Sequence, residues 1–131
     1  MSDIDQFIQV YEEIWPSLDA DRLERFEMVH PEARIDHSGM EQPIRGDEEP
    51  DYVRSVKALL PDISLEMRSW AARGDVVFVE YAMEATVNGE RVAWDGIGRF
   101  KLRDGRVSEA IGRWDPTAIQ AALAVQGSTA G

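Results

Sequence analysis

The sequence predicts an α+β domain in which a curved antiparallel sheet packs over helices. Three observations carry that prediction. Apolar residues recur at helical spacing as far as Pro61. From Ile63 onward they alternate with polar residues, the period of a half-buried strand. Asn88-Gly89 and Asp104-Gly105 are two-residue turn sequences of the kind that join adjacent antiparallel strands.

Each element has its own signal. Ile4, Phe7, Ile8, Tyr11, Ile14 and Trp15 form one helical stripe, with Ser2 as N-cap, Asp5 three residues on, and Pro16 as the stop. Asp19 reads as the cap of a second, shorter helix presenting Leu23, Phe26 and Val29. His30-Pro31 closes it, because the residue before proline is pushed out of the α region. Ala33 to His37 is a short extended piece leading into a polar segment, Ser38 to Gly46. A third helix starts at Asp47, with Glu48, Glu49 and Pro50 in its first turn. Its buried stripe is expected to be Tyr52, Val53, Val56, Leu59 and Leu60, and Pro61 ends it. Four long strands follow: Ile63 to the Arg73-Gly74-Asp75 turn, Val76 to Thr86, Arg91 to Leu102, and Val107 to Trp114. Asp115-Pro116 opens a small helix carrying Ile119 and Leu123. Residues 1–125 make one domain and 126–131 a frayed tail.

Composition narrows the function. Of 131 residues, 25 are Asp or Glu and 14 are Lys or Arg, a net charge of −11 that repels phosphate and argues against nucleic acid or an anionic membrane as partner. The absence of cysteine removes disulfide and thiolate chemistry. The acidic start lacks the basic, then apolar, run of a secretory signal, and no apolar run is long enough to span a bilayer. A cytoplasmic location is the expectation. Two histidines without clustered partners make no zinc site, and no phosphate-binding glycine loop or nucleophile elbow is present. No metal and no cofactor are indicated.

The succession of elements resembles the nuclear transport factor 2-like superfamily, and within it the polyketide-cyclase (SnoaL-like) branch. The residues that carry the resemblance run from about Ile4 to Leu123: the first helix ending in Trp15, Ala33-Arg34-Ile35-Asp36-His37, Gly46, Pro61-Asp62, Gly74-Asp75-Val76-Val77, Asp104-Gly105-Arg106-Val107 and Asp115. The resemblance implies a cone-shaped fold with an internal pocket and a homodimer formed through the sheet. Its members catalyse different reactions or none, so the function has to come from the pocket residues.

Asp115 and Arg113 share a parity with Ile111 and Val107. If that face lines the pocket, Arg113 stabilises an ionised Asp115, and the resemblance implies an acid/base aspartate near this point. Asp followed by Pro is equally an ordinary helix cap. His37 stands where isomerases of the superfamily carry a catalytic carboxylate, and an imidazole there can move protons near neutral pH. The rival for His37 is a partly exposed loop histidine. His30 reads as structural. Trp15, Tyr81, Trp94 and Phe100, with Met40, are the expected substrate walls, and Gly96 and Gly98 would leave room for a ligand or mark a bend. Trp114, of opposite parity to Asp115, is expected on the outer side. Glu66, Glu80 and Asp95 are expected opposite the apolar face.

The reading is a small cofactor-free enzyme performing cyclase- or isomerase-type proton transfer on an apolar, polyketide-like small molecule. Its catalytic residues would be Asp115, His37 and Arg113. The alternatives are an epoxide hydrolase or dehydratase of the same fold, and a non-catalytic ligand-binding or dimerisation domain.

Overall fold

A computed structural model describes residues 2–13, 16, 27–115, 117, 120 and 121 of the chain. The helix expected from Asp19, the wall residue Trp15 and the tail 126–131 lie outside the described residues. So do Ile119 and Leu123 of the expected terminal helix.

Helix α1 spans Asp3–Glu13. The Asp5 N–H donates to the Ser2 hydroxyl at 3.1 Å and that hydroxyl donates to the Asp5 carboxylate at 2.9 Å, so Ser2 caps it as expected. Phe7, Ile8 and Tyr11 are its buried side. Strand β1 is Val29–His37 and β2 is Ile44–Arg45. A 3₁₀ turn, Gly46–Glu48, leads into helix α2, Glu49–Leu59. Strands β3 (Ser64–Arg73), β4 (Val76–Val87), β5 (Glu90–Arg103) and β6 (Arg106–Trp114) complete the described elements.

The six strands form one curved, unclosed sheet in the order β2-β1-β6-β5-β4-β3. All the pairs are antiparallel except β1 with β6, which is parallel, so the sheet is mixed. The hairpin turns are those the sequence predicts. Asn88 and Gly89 have φ of 55° and 80°, and Asp104 and Gly105 of 54° and 77°, the left-handed conformation that two-residue type I′ turns demand. The inner face of β4 presents Val77, Val79, Tyr81 and Ala85, all buried, against α1 and α2 residues in one apolar core.

Three expectations change. Val29 belongs to β1, not to a helix. It is buried opposite Val107 of β6, and pairing with that strand together with the extended backbone that Pro31 demands overrides the helical stripe. Leu59 is 53% exposed, and the inward stripe of α2 is Glu49, Val53, Val56 and Leu60, an i, i+4, i+7, i+11 series that leaves Leu59 on the flank.

The third change has the largest consequence. In β6, Val107 pairs with Leu102 and Glu109 with Lys101, which leaves Ser108 as an extra residue whose hydroxyl donates to the Lys101 carbonyl at 3.1 Å. This β-bulge reverses the side-chain alternation. Val107, Ala110, Gly112 and Trp114 therefore face inward, and Ile111, Arg113 and Asp115 do not. Trp114 is on the cavity side, the opposite of its expected place.

Candidate functional site

The concave side of the sheet, α1 and α2 enclose a cavity of about 210 Å³. Its walls are mostly aliphatic and aromatic, and its floor includes a ring cluster. Phe100 lies 4.9 Å from Phe7 and 5.7 Å, edge-on, from Tyr11. Tyr81 and Trp94 line it with Phe100, as the alternation in β4 and β5 predicts, and Trp114 joins them through the bulge. Met40 does not line it; its sulfur accepts the His37 backbone N–H at 3.4 Å.

The inward glycines take up the protein's own rings. A Cβ on Gly96 would stand 2.6–2.7 Å from the Tyr81 ring, its cross-strand neighbour, and one on Gly98 would stand 2.8 Å from Phe100. A Cβ on Gly112 would lie 2.4 Å from His37 Nδ1. These positions are glycine because rings lie flat across them, which sets where Tyr81 and His37 point.

His37, Glu49 and Tyr52 are among the polar residues that line the cavity. The His37 ring sits 6.1 Å from Tyr52 and 5.8 Å from Trp114, between centroids. Its Nδ1 is buried and has no hydrogen-bond partner among the described residues. Burial holds its pKa down to about 4, with the Arg113 charge acting the same way and Asp36 opposing, so the imidazole is neutral at neutral pH. Glu49, 4% exposed, is the buried charged residue among those described. Burial, then the Glu49 charge, raises the Tyr52 phenol. Burial also raises Tyr81 and Tyr11, so all three phenols stay protonated.

Asp115 stands elsewhere. It is exposed, and its carboxylate accepts the Thr117 hydroxyl at 2.6 Å and the Thr117 N–H at 3.0 Å, the two contacts of a turn cap. Those bonds, the hydroxyl first, lower its pKa. Arg113 pairs with Asp36 across β1 and β6, Nη2 to Oδ2 at 3.1 Å and Nη1 to the Asp36 carbonyl at 3.0 Å, not with Asp115. His30 bonds the Arg103 carbonyl at 3.0 Å. Glu66, Glu80 and Asp95 are exposed, on the face opposite the core.

Sequence reasoning brings His37, Tyr81, Trp94 and Phe100 to one cavity but misses Glu49. A signal was present. Glu49 lies four residues before Val53 and seven before Val56, on the apolar stripe itself, while the adjacent acids Asp47 and Glu48 lie off it.

A curved sheet folded over helices, with a mostly apolar cavity on its concave side, defines the α+β class of this chain. The SnoaL-like domain model matches residues 7–110, and the chain belongs to that family. Solved structures share the fold. IdmH, a candidate polyketide cyclase from Streptomyces antibioticus, superposes with a TM-score of 0.77 at 20% identity, covering 95% of this chain and 99% of that one. A candidate SnoaL-like polyketide cyclase from Jannaschia sp. CCS1 gives 0.79 at 15%, covering 92% and 90%. TerC, crystallised with polyporic acid, gives 0.79 at 18%, covering 93% and 98%. No curated protein sequence matches the chain. No helix among the described residues is long and apolar enough to cross a membrane.

Proposed function

We propose that the protein is an acid/base enzyme that moves protons on an apolar carbonyl compound held in the cavity, a cyclase- or isomerase-type reaction. The observation that carries this reading is that one mostly apolar cavity holds both a neutral imidazole, its Nδ1 buried and unpartnered among the described residues, and a buried glutamate. An unsatisfied buried polar group costs about 1–3 kcal/mol, which packing alone gives no reason to retain. The SnoaL-like family and neighbours described as candidate polyketide cyclases support the same reaction class.

In this reading Glu49 removes a proton from the carbon next to the substrate carbonyl, and the C–H electron pair passes into an enolate. His37, a weak base at its depressed pKa, donates its N–H to the enolate oxygen. In a cyclisation the enolate carbon then bonds to a second carbonyl carbon of the same molecule, and Glu49 returns the proton to the new alkoxide. Asp115, outside the cavity, has no part in it.

Proton exchange tests this without the natural substrate. Wild-type protein in D₂O is expected to speed deuterium incorporation at the α-carbon of 2-tetralone, followed by NMR. Glu49→Gln should slow it by about 10²- to 10⁴-fold. Binding without exchange above the buffer rate means a non-catalytic ligand-binding module.

A homodimer through the convex face of the sheet is the second part of the proposal. Phe78 of β4 and Ile97 of β5 are 44% and 56% exposed there, on central strands where large apolar side chains favour a partner. Sedimentation equilibrium checks it: a monomer at tens of micromolar overturns it, and a dimer broken by Ile97→Lys supports it.

A further inference from the structure

Trp94 is a polar group of the cavity that the proposed chemistry does not use. Its indole Nε1 is buried and has no hydrogen-bond partner among the described residues. An indole N–H is a donor only, so in an apolar wall it leaves one bond unmade that an acceptor oxygen would complete.

Its place in the sheet separates it from the proton-transfer cluster. The β5–β6 pairing ends at Gly96 opposite Trp114, and Trp94 lies beyond that end, paired only with Met83 of β4. His37 stands in the row His37–Gly112–Gly98. Along β5, Trp94 is four residues from that row, about 13 Å, and β1 is two strand spacings from β5, about 10 Å. The backbone positions of Trp94 and His37 therefore stand about 16 Å apart across one cavity wall.

We infer that Trp94 is a specificity-determining anchor: its Nε1–H donates to an acceptor oxygen on the end of the substrate remote from the carbonyl that His37 and Glu49 act upon. The substrate class is thereby narrowed to a mostly apolar molecule with acceptor oxygens at both ends. The size agrees, since an engineered cavity of about 150 Å³ accepts benzene and this one is about 210 Å³. The proposed function supplies only the identity of the reacting end; the Trp94 contact stands or falls separately.

Two isosteric probes separate the outcomes: 6-acetyl-2-tetralone, with an acceptor oxygen at the remote end, and 6-isopropenyl-2-tetralone, which replaces that C=O by C=CH₂. Wild-type protein is expected to bind the acetyl probe about three- to tenfold more tightly. Trp94→Phe keeps an aromatic ring without the donor and should abolish that preference. In ¹⁵N-labelled wild-type protein the Trp94 indole proton should move downfield with the acetyl probe and not with its partner, a readout independent of the variant's folding. Equal binding of the two probes by wild type, a preference that survives Trp94→Phe, or an unmoved indole resonance each overturns the inference. A retained probe preference with deuterium exchange unaffected by Glu49→Gln would instead overturn the proton-transfer reading and leave the Trp94 anchor standing.

Discussion

Asp36 and His37 are chain neighbours on opposite faces of β1, and the regions they belong to differ in one decisive respect. On the outer side, Asp36 pairs with Arg113, and Asp115 takes both bonds from Thr117. On the inner side, His37 is half-buried, its Nδ1 is buried and unpartnered among the described residues, and its ring lies 6.1 Å from that of Tyr52. The outer set is explained by these hydrogen bonds and by its exposure. The buried His37 Nδ1 carries a desolvation cost with no hydrogen bond among the described residues to offset it, and the proposed function rests on that difference. Proximity in sequence therefore says little about shared function; which face of the strand a residue occupies says much more.

The largest expected effect sharpens this contrast at the level of chemistry. Glu49→Gln should cost about 10²- to 10⁴-fold in deuterium exchange, whereas Asp115→Asn should change it by less than about twofold, because its carboxylate is exposed outside the cavity and hydrogen-bonds Thr117. If Asp115→Asn proves the more damaging, the inner and outer roles are reversed.

Acid sensitivity separates the two regions next. His37 has a folded pKa of about 4 against 6.5 when unperturbed. The unfolded chain thus binds a proton first, and the stability contributed by the neutral ring is whole above about pH 6.5 and lost as pH falls toward 4. The full span is about 3 kcal/mol. Urea melts across that window should steepen with acid in wild type and flatten in His37→Gln. Asp115 has a lowered pKa, so its stabilisation is present above the usual carboxylate range and lost only below it. An unchanged slope in His37→Gln would show that the imidazole is not buried as described.

Gly112→Ala probes the seat of the imidazole. The new methyl would meet Nδ1 at 2.4 Å and the Trp114 ring at 3.2 Å, so the ring must leave its position. A loss of about 1–3 kcal/mol is expected by urea unfolding. A shift in the His37 NMR titration toward 6.5 should accompany it. The smallest effect belongs to the outer cap. Asp115→Asn should melt with wild type and Asp115→Ala slightly below it, because asparagine caps as well as aspartate and alanine does not. A variant Asp115→Asn clearly more stable than wild type would mean that its carboxylate is held at a cost, contrary to the contacts seen.

Much of the fold was legible in the sequence. The change from helical spacing to alternation at Pro61, the Asn88-Gly89 and Asp104-Gly105 turns, and the Ser2 cap each depend on a few adjacent residues. The inward faces of β4 and β5 followed in the same way, and they put Tyr81, Trp94 and Phe100 on the cavity. The candidate site was legible only in part. His37 was found, but Glu49 hid in a run of three acids, where first-turn preference explained all of them equally. Only the stripe through Val53 and Val56 singles it out.

What the sequence by itself determined is the set of elements and their local ends, because propensity, caps and turns act over a few residues. The parallel pairing of β1 with β6 was decided by tertiary structure, since two segments about seventy residues apart must meet for it to exist. So was the bulge at Ser108, which exists only in the register of β6 against β5 and has no turn residue to announce it. That single extra residue reverses every side chain after it. It brings Trp114 into the cavity that His37 and Glu49 also line, and it puts Asp115 outside.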